Sequence, residues 1–478
     1  MWNQYYSVAT IDQALDILNN ENPNARIIAG GTDLVLEYKQ GLHESIHTLI
    51  DISRIKGIHN IWQDETGYIH VGAGATHNDC VASKLILEKA FPLAQACYGI
   101  GSPQIRNVAT VVGNLVTASP ANDTICVLIA LDAKLFVRSK SGNREIFLKD
   151  FYTGVRKTVL NPDEMIVEIS FKGIQEFTYG VFNKYLLRKS HAISLVNTTV
   201  VITLDQNKIT KSAVALGCVA PTVIRSSLAE SFLLGKELCE EVIEECSIIA
   251  QQDARPISDI RGSDKYRDRL IKYLVSAGLR LIWKKEFIND PVYKPVLLRG
   301  QNDLPNPELN DVFVHDKNSI IDVQINDEKY SLENGSGLTI LDLVREKAGL
   351  PGTKLGCGEG ECGACTLFLD DLPVLSCLIP AARAHLARIT TIEGVSEGGK
   401  LNNIQNAFIE EGAVQCGYCT PGFIMSTIKL LDEIKEPSVQ EIKSGLSGNL
   451  CRCTGYYRII AAVEKAAKLS AQQEVTNE

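Results

Sequence analysis

Four cysteines near the middle of the C-terminal half have a spacing that binds iron and sulfide. The first three follow the pattern C-x4-C-x2-C, and the fourth comes after eleven intervening residues, in GCGEGECGACTLFLDDLPVLSC. This is the plant-type [2Fe-2S] spacing. The glycines between them allow the backbone to curl and to turn N–H groups towards the cluster sulfurs, which tunes the reduction potential. The candidate ligands of this first group are Cys357, Cys362, Cys365 and Cys377.

A second group of four cysteines follows in two pairs, C-x2-C in QCGYCTPGF and C-x-C in NLCRCTGY. Thr420 and Pro421 predict the start of a helix after the first pair, and Gly455 precedes the last predicted helix. Four thiolates that packed helices bring together can hold a second [2Fe-2S] cluster or a structural zinc ion. We favour iron for both groups, because two nearby clusters form an electron relay, and a pair of zinc sites is the alternative. The candidate ligands of the second group are Cys416, Cys419, Cys451 and Cys453.

Two glycine-containing segments in the first 125 residues could bind a dinucleotide. In RIIAGGTDL a predicted strand ends at Gly30 and Gly31 and a helix opens at Thr32, so that the backbone and the helix N-terminus can approach a diphosphate. The second segment is IRNVATVVGNLVTASPAND. Its Gly113 permits close approach, and its polar side chains can donate hydrogen bonds or, at Asp123, accept one from a ribose hydroxyl.

The elements around these motifs predict several domains of mixed class. Alternating strands and helices up to residue 285 indicate α/β folding, with a change of texture near residue 176, after which NTTVVITL and SAVALGCVA are predicted as antiparallel strands. A stretch rich in Pro, Asn and Asp indicates a linker or wrapping loop. After it, IIDVQINDEKYSLE predicts two strands, and a helical segment follows from about residue 400. The predicted domains are 1–176, 177–285, the linker 286–318, 319–394 and 395–478.

Composition excludes several function classes. The chain has 478 residues, of which 45% are hydrophobic, and 48 basic residues against 57 acidic ones give a net charge of −9. A phosphate-backbone partner is therefore not expected. No apolar run approaches the ~18 residues of a membrane helix, and the start of the chain lacks the features of a secretory leader. We expect a globular, cytoplasmic protein that binds neither nucleic acid nor membrane.

Residues 320 to 470 resemble the two-cluster iron–sulfur subunit of the molybdenum hydroxylases, the xanthine dehydrogenase family. The resemblance is carried by GCGEGECGACT, QCGYCTPGF and the CRCTGY run. It implies a β-grasp, ferredoxin-like [2Fe-2S] domain followed by a helical-bundle [2Fe-2S] domain. It also implies that Gln415, the residue before the first bundle cysteine, hydrogen-bonds the pterin of the molybdenum cofactor in a partner.

Residues 1 to 285 resemble the FAD-binding subunit of the same family, through the two glycine-containing segments and through GCVAPTVIRSSLAESFLLGK and ISDIRGSDKYRDRLIKYL. The resemblance implies an FAD-binding domain with an α+β C-terminal lobe, and it places Lys184 near the redox end of the flavin. Val112 departs from the pattern, since the family has two glycines before Asn114. A β-branched residue there disfavours positive φ and adds bulk, so a structural subunit that has lost its flavin is one alternative. The implied FAD contacts are Ile27, Ile28, Ala29, Gly30, Gly31, Thr32, Asp33, Leu34, Ile100, Thr110, Gly113, Asn114, Thr117, Asp123, Ile166 and Lys184.

The residues of this chain have no counterpart of the family's molybdopterin domains, so the resemblance implies a separate molybdopterin-binding catalytic subunit, in a heteromer that dimerises further. Electrons would enter the bundle cluster, cross to the ferredoxin-like cluster and reach FAD, which passes them in pairs to NAD+. No side chain here is expected to act as a catalytic acid or base. The expected substrate of the partner is xanthine or a related purine, with nicotinate and aldehydes as alternatives. A freestanding NAD(P)H-linked iron–sulfur flavoprotein is the alternative from another class.

Overall fold

The computed structural model describes residues 2–43, 45–300, 307–333, 335, 337–396 and 398–477, with only the backbone of 288, 289 and 471–477. The chain divides into two compact units, and both are discontinuous in sequence. Unit 1 comprises Met1–Lys56, Gly101–Ala109 and Val296–Glu478. Unit 2 comprises Gly57–Ile100 and Thr110–Pro295.

The strands of the described residues are, in chain order, β1 Gln4–Ser7, β2 Ala25–Ile28, β3 Thr48–Asp51, β4 Ile61–Gln63, β5 Tyr68–Gly72, β6 Lys134–Ser139, β7 Gly142–Phe147, β8 Tyr152–Gly154, β9 Lys157–Thr158, β10 Met165–Lys172, β11 Thr178–Tyr185, β12 Val196–Asp205, β13 Lys208–Gly217, β14 Ile224–Arg225, β15 Phe313–His315, β16 Ile321–Ile325, β17 Glu328–Leu332, β18 Thr366–Leu369, β19 Leu372–Leu375 and β20 Arg388–Thr390.

The α-helices are α1 Ile11–Asn20, α2 Leu34–Lys39, α3 His77–Ala82, α4 Lys84–Lys89, α5 Phe91–Tyr98, α6 Pro103–Arg106, α7 Val111–Val116, α8 Asp123–Ala130, α9 Ser227–Leu233, α10 Glu240–Asp253, α11 Asp264–Lys284, α12 Ile340–Asp342, α13 Asn403–Glu410, α14 Thr420–Glu433, α15 Val439–Gly445 and α16 Tyr457–Asn477. A π-helical turn, Leu343–Lys347, continues α12.

The first sheet of unit 1 has the strand order β15-β1-β3-β2. Its strands β1, β2 and β3 run parallel, and β15 adds to β1 antiparallel, with Tyr5 opposite His315. Strand β15 lies inside the predicted linker 286–318, so this part of the linker wraps back to complete a sheet. Residues 301–306 of the predicted linker lie outside the described residues.

The second sheet of unit 1 has the order β17-β16-β20-β18-β19, with β16 and β20 parallel in its middle. The predicted hairpin in IIDVQINDEKYSLE is confirmed as β16 and β17. Alternate apolar residues of β16 are buried, because one face of the sheet covers a core. This arrangement confirms the predicted β-grasp class, and helices α13 to α16 form the bundle after it. As predicted, α14 begins at Thr420.

Unit 2 contains a sheet of order β4-β5-β10-β6-β7 and a sheet of order β11-β12-β13-β14. The predicted antiparallel pairing of NTTVVITL with SAVALGCVA is confirmed, since Val200 lies opposite Val214. One buried cluster joins apolar residues of β12 and β13 to those of α10 and α11. The α+β class predicted for the second lobe is therefore confirmed.

The buried His315 of β15 makes the stability of the first sheet of unit 1 depend on pH. Burial, and then the nearby His385 and Arg54, lower the pKa of His315 to about 4. An unfolded histidine titrates near 6.5. Between these values the unfolded chain binds more protons than the folded one, so the free energy of unfolding falls as pH falls from 6.5 to 4. The loss is at most about 3 kcal/mol.

We expect the protection factors of the Tyr5–Ser7 amides, which correct for the intrinsic pH dependence of hydrogen exchange, to fall as pH falls from 6.5 to 4, because β1 pairs with β15. The His315→Gln variant should show a smaller fall, since glutamine does not titrate. Equal pH dependence in both chains would contradict this account.

Candidate electron-transfer site

The loop that carries the first three cysteines is curled by glycines. Gly358, Gly360 and Gly363 have φ of 72°, 78° and 68°, in the left-handed region that favours glycine. The curl turns backbone N–H groups onto sulfur: the N–H of Glu359 and that of Glu361 donate to Cys357 Sγ at 3.3 and 3.2 Å. The predicted role of these glycines matches this geometry.

The thiols of this first group come together two by two. Contact with the Cys362 thiol lowers the pKa of Cys357 to about 4, burial opposes the shift, and the two backbone donors lower the value further. Contact between Cys365 and Cys377 likewise lowers the pKa of Cys377 and raises that of Cys365. Both of the last two side chains are buried. Each pair therefore favours the thiolate, which is the form that binds metal, at one sulfur, Cys357 or Cys377, and raises the pKa of the partner thiol, Cys362 or Cys365.

The second group is positioned by helix ends. Cys419 is the residue before α14, and burial, followed by the neighbouring Cys451 and Cys416 thiols, raises its pKa to about 12. Cys453 Sγ lies 3.6 Å from Cys416 Sγ, and the Cys419 and Cys451 thiols interact with each other. Thr454 donates its N–H and its hydroxyl to Cys451 Sγ at 3.4 and 3.1 Å. This threonine was not singled out from the sequence, although it stands directly after the C-x-C pair.

The pairwise arrangement fits the needs of a two-iron cluster. Two thiolates on one tetrahedral ion, each about 2.3 Å from the metal, lie roughly 3.7 Å apart, which is close to the separation of Cys416 and Cys453. Among the described residues, no three side chains of the ligating types converge on one metal position. A [2Fe-2S] cluster takes two cysteines on each iron, so the residues present fit two such clusters.

Direct hydrogen bonds connect the two cysteine loops within unit 1. The N–H of Leu450, next to Cys451, donates to the carbonyl of Cys362 at 2.9 Å. The side chain of Asn449 donates to Gly363 O at 3.2 Å. Buried Gln104 in turn donates to Asn449 Oδ1 at 3.1 Å. No local sequence pattern marks this network, because its members are far apart in the chain.

The first predicted FAD segment, Ile27–Leu34, belongs to unit 1. The strand β2 ends at Ile28 and α2 begins at Leu34, so the turn between them is longer than predicted. A Cβ at Gly30 would collide with the backbone carbonyl of Val108, and one at Gly31, whose φ is 72°, would lie 2.9 Å from Leu378 O. The chain's own packing therefore requires both glycines. Residues Ala29 to Thr32 are half-buried and Asp33 is exposed.

The remaining predicted FAD contacts belong to unit 2. Thr110 caps α7 by accepting a hydrogen bond from the N–H of Gly113 at 3.0 Å. Asn114 Oδ1 accepts from the Thr124 hydroxyl, and Thr117 donates to Asn114 O. Gly113 is exposed, so a ligand can approach this edge of α7. Val112 is a buried helical residue that is not among those with positive φ, so the predicted backbone objection to it does not apply.

Asp123 and Lys184, both predicted FAD contacts, form an ion pair in unit 2. Lys184 Nζ lies 2.6 Å from Asp123 Oδ2 and donates to Gly99 O at 2.7 Å. Ser194 and Asn197 donate to the other carboxylate oxygen at 2.6 and 3.0 Å. Gly99 directly precedes the predicted contact Ile100, whereas the predicted contact Ile166 is a buried residue of β10.

Four family models match consecutive parts of the chain. They are the FAD binding domain in molybdopterin dehydrogenase at residues 2–171, the CO dehydrogenase flavoprotein C-terminal domain at 182–281, the 2Fe-2S iron–sulfur cluster binding domain at 323–382 and the [2Fe-2S] binding domain at 391–464.

Curated relatives cover the iron–sulfur part almost from end to end. The nicotinate dehydrogenase small FeS subunit of Eubacterium barkeri is 48% identical over 32% of this chain and 96% of its own length. The xanthine dehydrogenase iron–sulfur-binding subunit of Escherichia coli O157:H7 is 45% identical over 31% of this chain and 94% of its own length. The chain belongs to the molybdenum hydroxylase family. Its flavin and iron–sulfur domains are those of an oxidoreductase component that transfers electrons.

The flavoprotein half of this molybdenum hydroxylase component also matches a solved structure. A chain of carbon monoxide dehydrogenase from Hydrogenophaga pseudoflava superposes with a TM-score of 0.57 and 26% identity, over 60% of this chain and 98% of that one. No helix of the described residues is both long and apolar enough to span a membrane.

One edge of the bundle cysteine group of this molybdenum hydroxylase component is exposed. Gln415, Cys416 and Cys453 are accessible, whereas Cys451 is buried. The ferredoxin-like group is mixed as well, with Cys357 exposed and Cys365 and Cys377 buried. Gln415, predicted to bind the pterin, is therefore accessible to a partner.

Replacing Cys416 or Cys451 with Ser should abolish the electron paramagnetic resonance signal of the bundle cluster and leave that of the ferredoxin-like cluster, because each change removes one of two thiolates on an iron. The matched control is Cys239→Ser. Cys239 precedes α10 at a position where serine is a favourable helix cap, so both signals should persist. Unchanged spectra in the Cys416 and Cys451 variants would contradict the assignment.

Replacing Lys184 with Met should lower the free energy of unfolding of unit 2 by about 3–5 kcal/mol, since it leaves the buried Asp123 carboxylate without its cation. Urea unfolding followed by hydrogen exchange of β11 would measure the loss. The double variant Lys184→Met with Asp123→Asn should recover part of it. A double variant as unstable as the sum of the two single changes would show that the pair is not coupled.

Proposed function

We propose that this chain is the electron-exit component of a hydroxylase of nitrogen heterocycles, with xanthine or a related purine as the first substrate to test. Electrons from a molybdopterin-binding partner would enter the cluster of Cys416, Cys419, Cys451 and Cys453, cross to the cluster of Cys357, Cys362, Cys365 and Cys377, and reach FAD and then NAD+. The chain's own residues hold these groups, separate them and set their potentials.

The exposed position of Gln415 beside two exposed bundle cysteines carries this proposal. An electron entering from another protein needs a cluster near the surface, and Cys416 and Cys453 provide exposed sulfur ligands there. In the ferredoxin-like group Cys365 and Cys377 are buried, whereas Cys357 is exposed. Partial burial lets neighbouring groups set the potential of a relay centre.

Exposed apolar side chains stand near the bundle cysteines in sequence. Val414, Tyr418, Leu450 and Tyr457 are all exposed, and Tyr457 keeps 83% of its surface accessible. Exposed aromatic and aliphatic groups beside polar ones are typical of protein-binding surfaces. They support a partner that docks over this end of the bundle and buries Gln415.

The hydrogen bond from Leu450 N–H to Cys362 O supports transfer between the two groups. Leu450 is bonded covalently to the candidate ligand Cys451, and Cys362 is itself a candidate ligand of the ferredoxin-like group. The shortest path between the two cysteine groups therefore contains few covalent bonds and one hydrogen bond. The buried Gln104 and Asn449 keep these loops in register, because neither side chain has room to move away from its partners.

The incomplete burial of residues Ala29–Asp33 and the exposure of Gly113 support FAD binding, each in its own unit. We assign the Ile27–Leu34 segment to the diphosphate and Lys184 to the redox end of the flavin. The proposed substrate class is based on the two relatives whose names contain nicotinate and xanthine. Both of these compounds are nitrogen heterocycles.

The deciding experiment is to tag the chain in its native host, purify it without oxygen and add xanthine, nicotinate or an aldehyde. Bleaching of the visible spectrum by xanthine, with a molybdenum-containing large subunit in the preparation, is the expected result. Bleaching by nicotinate or an aldehyde instead would keep the electron-exit role and change the substrate. A chain that is purified alone and is bleached only by NADH would replace this proposal with a freestanding carrier.

Gln415→Ala should slow substrate bleaching at least tenfold while leaving reduction by dithionite unchanged, since the variant alters the contact with the partner and no cysteine. Gln252→Ala, at an exposed position in α10, is the matched control and should bleach at the normal rate. Equal rates in both variants would remove Gln415 from the proposed route.

A further inference from the structure

Lys39 contacts the ferredoxin-like cysteine loop at two places. It is the last residue of α2, and its Nζ donates to Gly358 O at 3.1 Å and to Cys377 O at 2.9 Å. Gly358 follows Cys357, a member of one thiol pair, and Cys377 is a member of the other. One ammonium group therefore reaches the backbone beside both pairs.

Packing holds α2 against this loop. Leu36 of α2 packs on the buried cluster that contains Cys365, Cys377 and Leu378. The preceding turn approaches so closely that a Cβ at Gly31 would lie 2.9 Å from Leu378 O. The stem of Lys39 thus starts from an anchored helix, and the ammonium has a defined place although the residue is exposed as a whole.

The charge of Lys39 opposes the other fixed charges of this loop. Four thiolates and the neighbouring Glu359 and Glu361 make the surroundings of the cluster strongly negative. Reduction adds one more negative charge, so a nearby cation stabilises the reduced state more than the oxidised state. Without the ammonium group, the carbonyl oxygens of Gly358 and Cys377 would present the negative ends of their dipoles beside the two thiol pairs.

We propose that Lys39 raises the reduction potential of the ferredoxin-like cluster and so favours electron transfer onto it. The inference rests on the proposed function and identifies a positioning residue of the relay that none of the cysteine motifs contains. The cation comes from the first segment of unit 1, whereas the ligands come from its last segment. The relay therefore takes part of its driving force from the flavoprotein half of the sequence.

The test is a redox titration of the full chain with mediators, followed by electron paramagnetic resonance, in which the bundle cluster serves as an internal reference. Lys39→Gln should lower the reduction equilibrium constant of the ferredoxin-like cluster about tenfold, which is 59 mV for one electron. The bundle cluster should not shift, and Lys39→Arg should stay near the unaltered value. Lys56→Gln, an exposed lysine of the same segment, is the matched control.

An unchanged potential in Lys39→Gln, with both signals intact, would overturn the proposal. Should that variant lose the cluster, Lys39→Met, which keeps the aliphatic stem, takes its place. Loss of the cluster in both would show that Lys39 only holds the loop, and would also overturn it. The titration uses neither partner, substrate nor NAD+, so failure of the proposed function would be seen separately, in the bleaching experiment.

Discussion

Four thiolates in a small volume repel one another, and the structure of unit 1 depends on overcoming that repulsion. In the curled loop at Gly358–Gly363, N–H donors on Cys357 Sγ offset this repulsion. In the bundle, the donors of Thr454 on Cys451 Sγ do so. Neither loop has regular secondary structure of its own, so each needs neighbours that fix its path.

Those neighbours come from distant parts of the sequence. The short segment Gly101–Ala109 supplies Gln104, which donates to Asn449 beside the bundle cysteines, and Asn107, which donates to Pro373 O at 3.1 Å. Val108 packs against the core of the ferredoxin-like sheet, and its carbonyl limits Gly30 to glycine. A segment that belongs to the flavoprotein part by sequence thus acts as a structural part of the iron–sulfur unit.

Local sequence patterns predicted the features that depend on neighbouring residues in the chain. The cysteine spacing, the β16–β17 hairpin and the start of α14 at Thr420 each follow from neighbouring residues, and the fold class followed from them. The pairing of Cys416 with Cys453, the ion pair of Asp123 with Lys184 and the contacts of Gln104 each join residues that only the tertiary fold brings together. The sequence predicts Gly30 and Gly31 as a turn that approaches a diphosphate. Their packing against Val108 and Leu378 is a second reason for glycine at these positions, and it depends on tertiary contacts that local sequence does not show.

The interleaving of the two units also sets an order of events during synthesis. Unit 2 is complete once residue 295 has left the ribosome, whereas β1 in unit 1 must wait for β15 at Phe313–His315 before its sheet closes. At typical translation speeds the roughly 300 residues between β1 and β15 take about 15 to 60 seconds to make. During that interval the apolar side chains of Trp2, Tyr5 and Leu49 lack their final cover, so a nascent chain of this protein offers a chaperone a defined early binding segment.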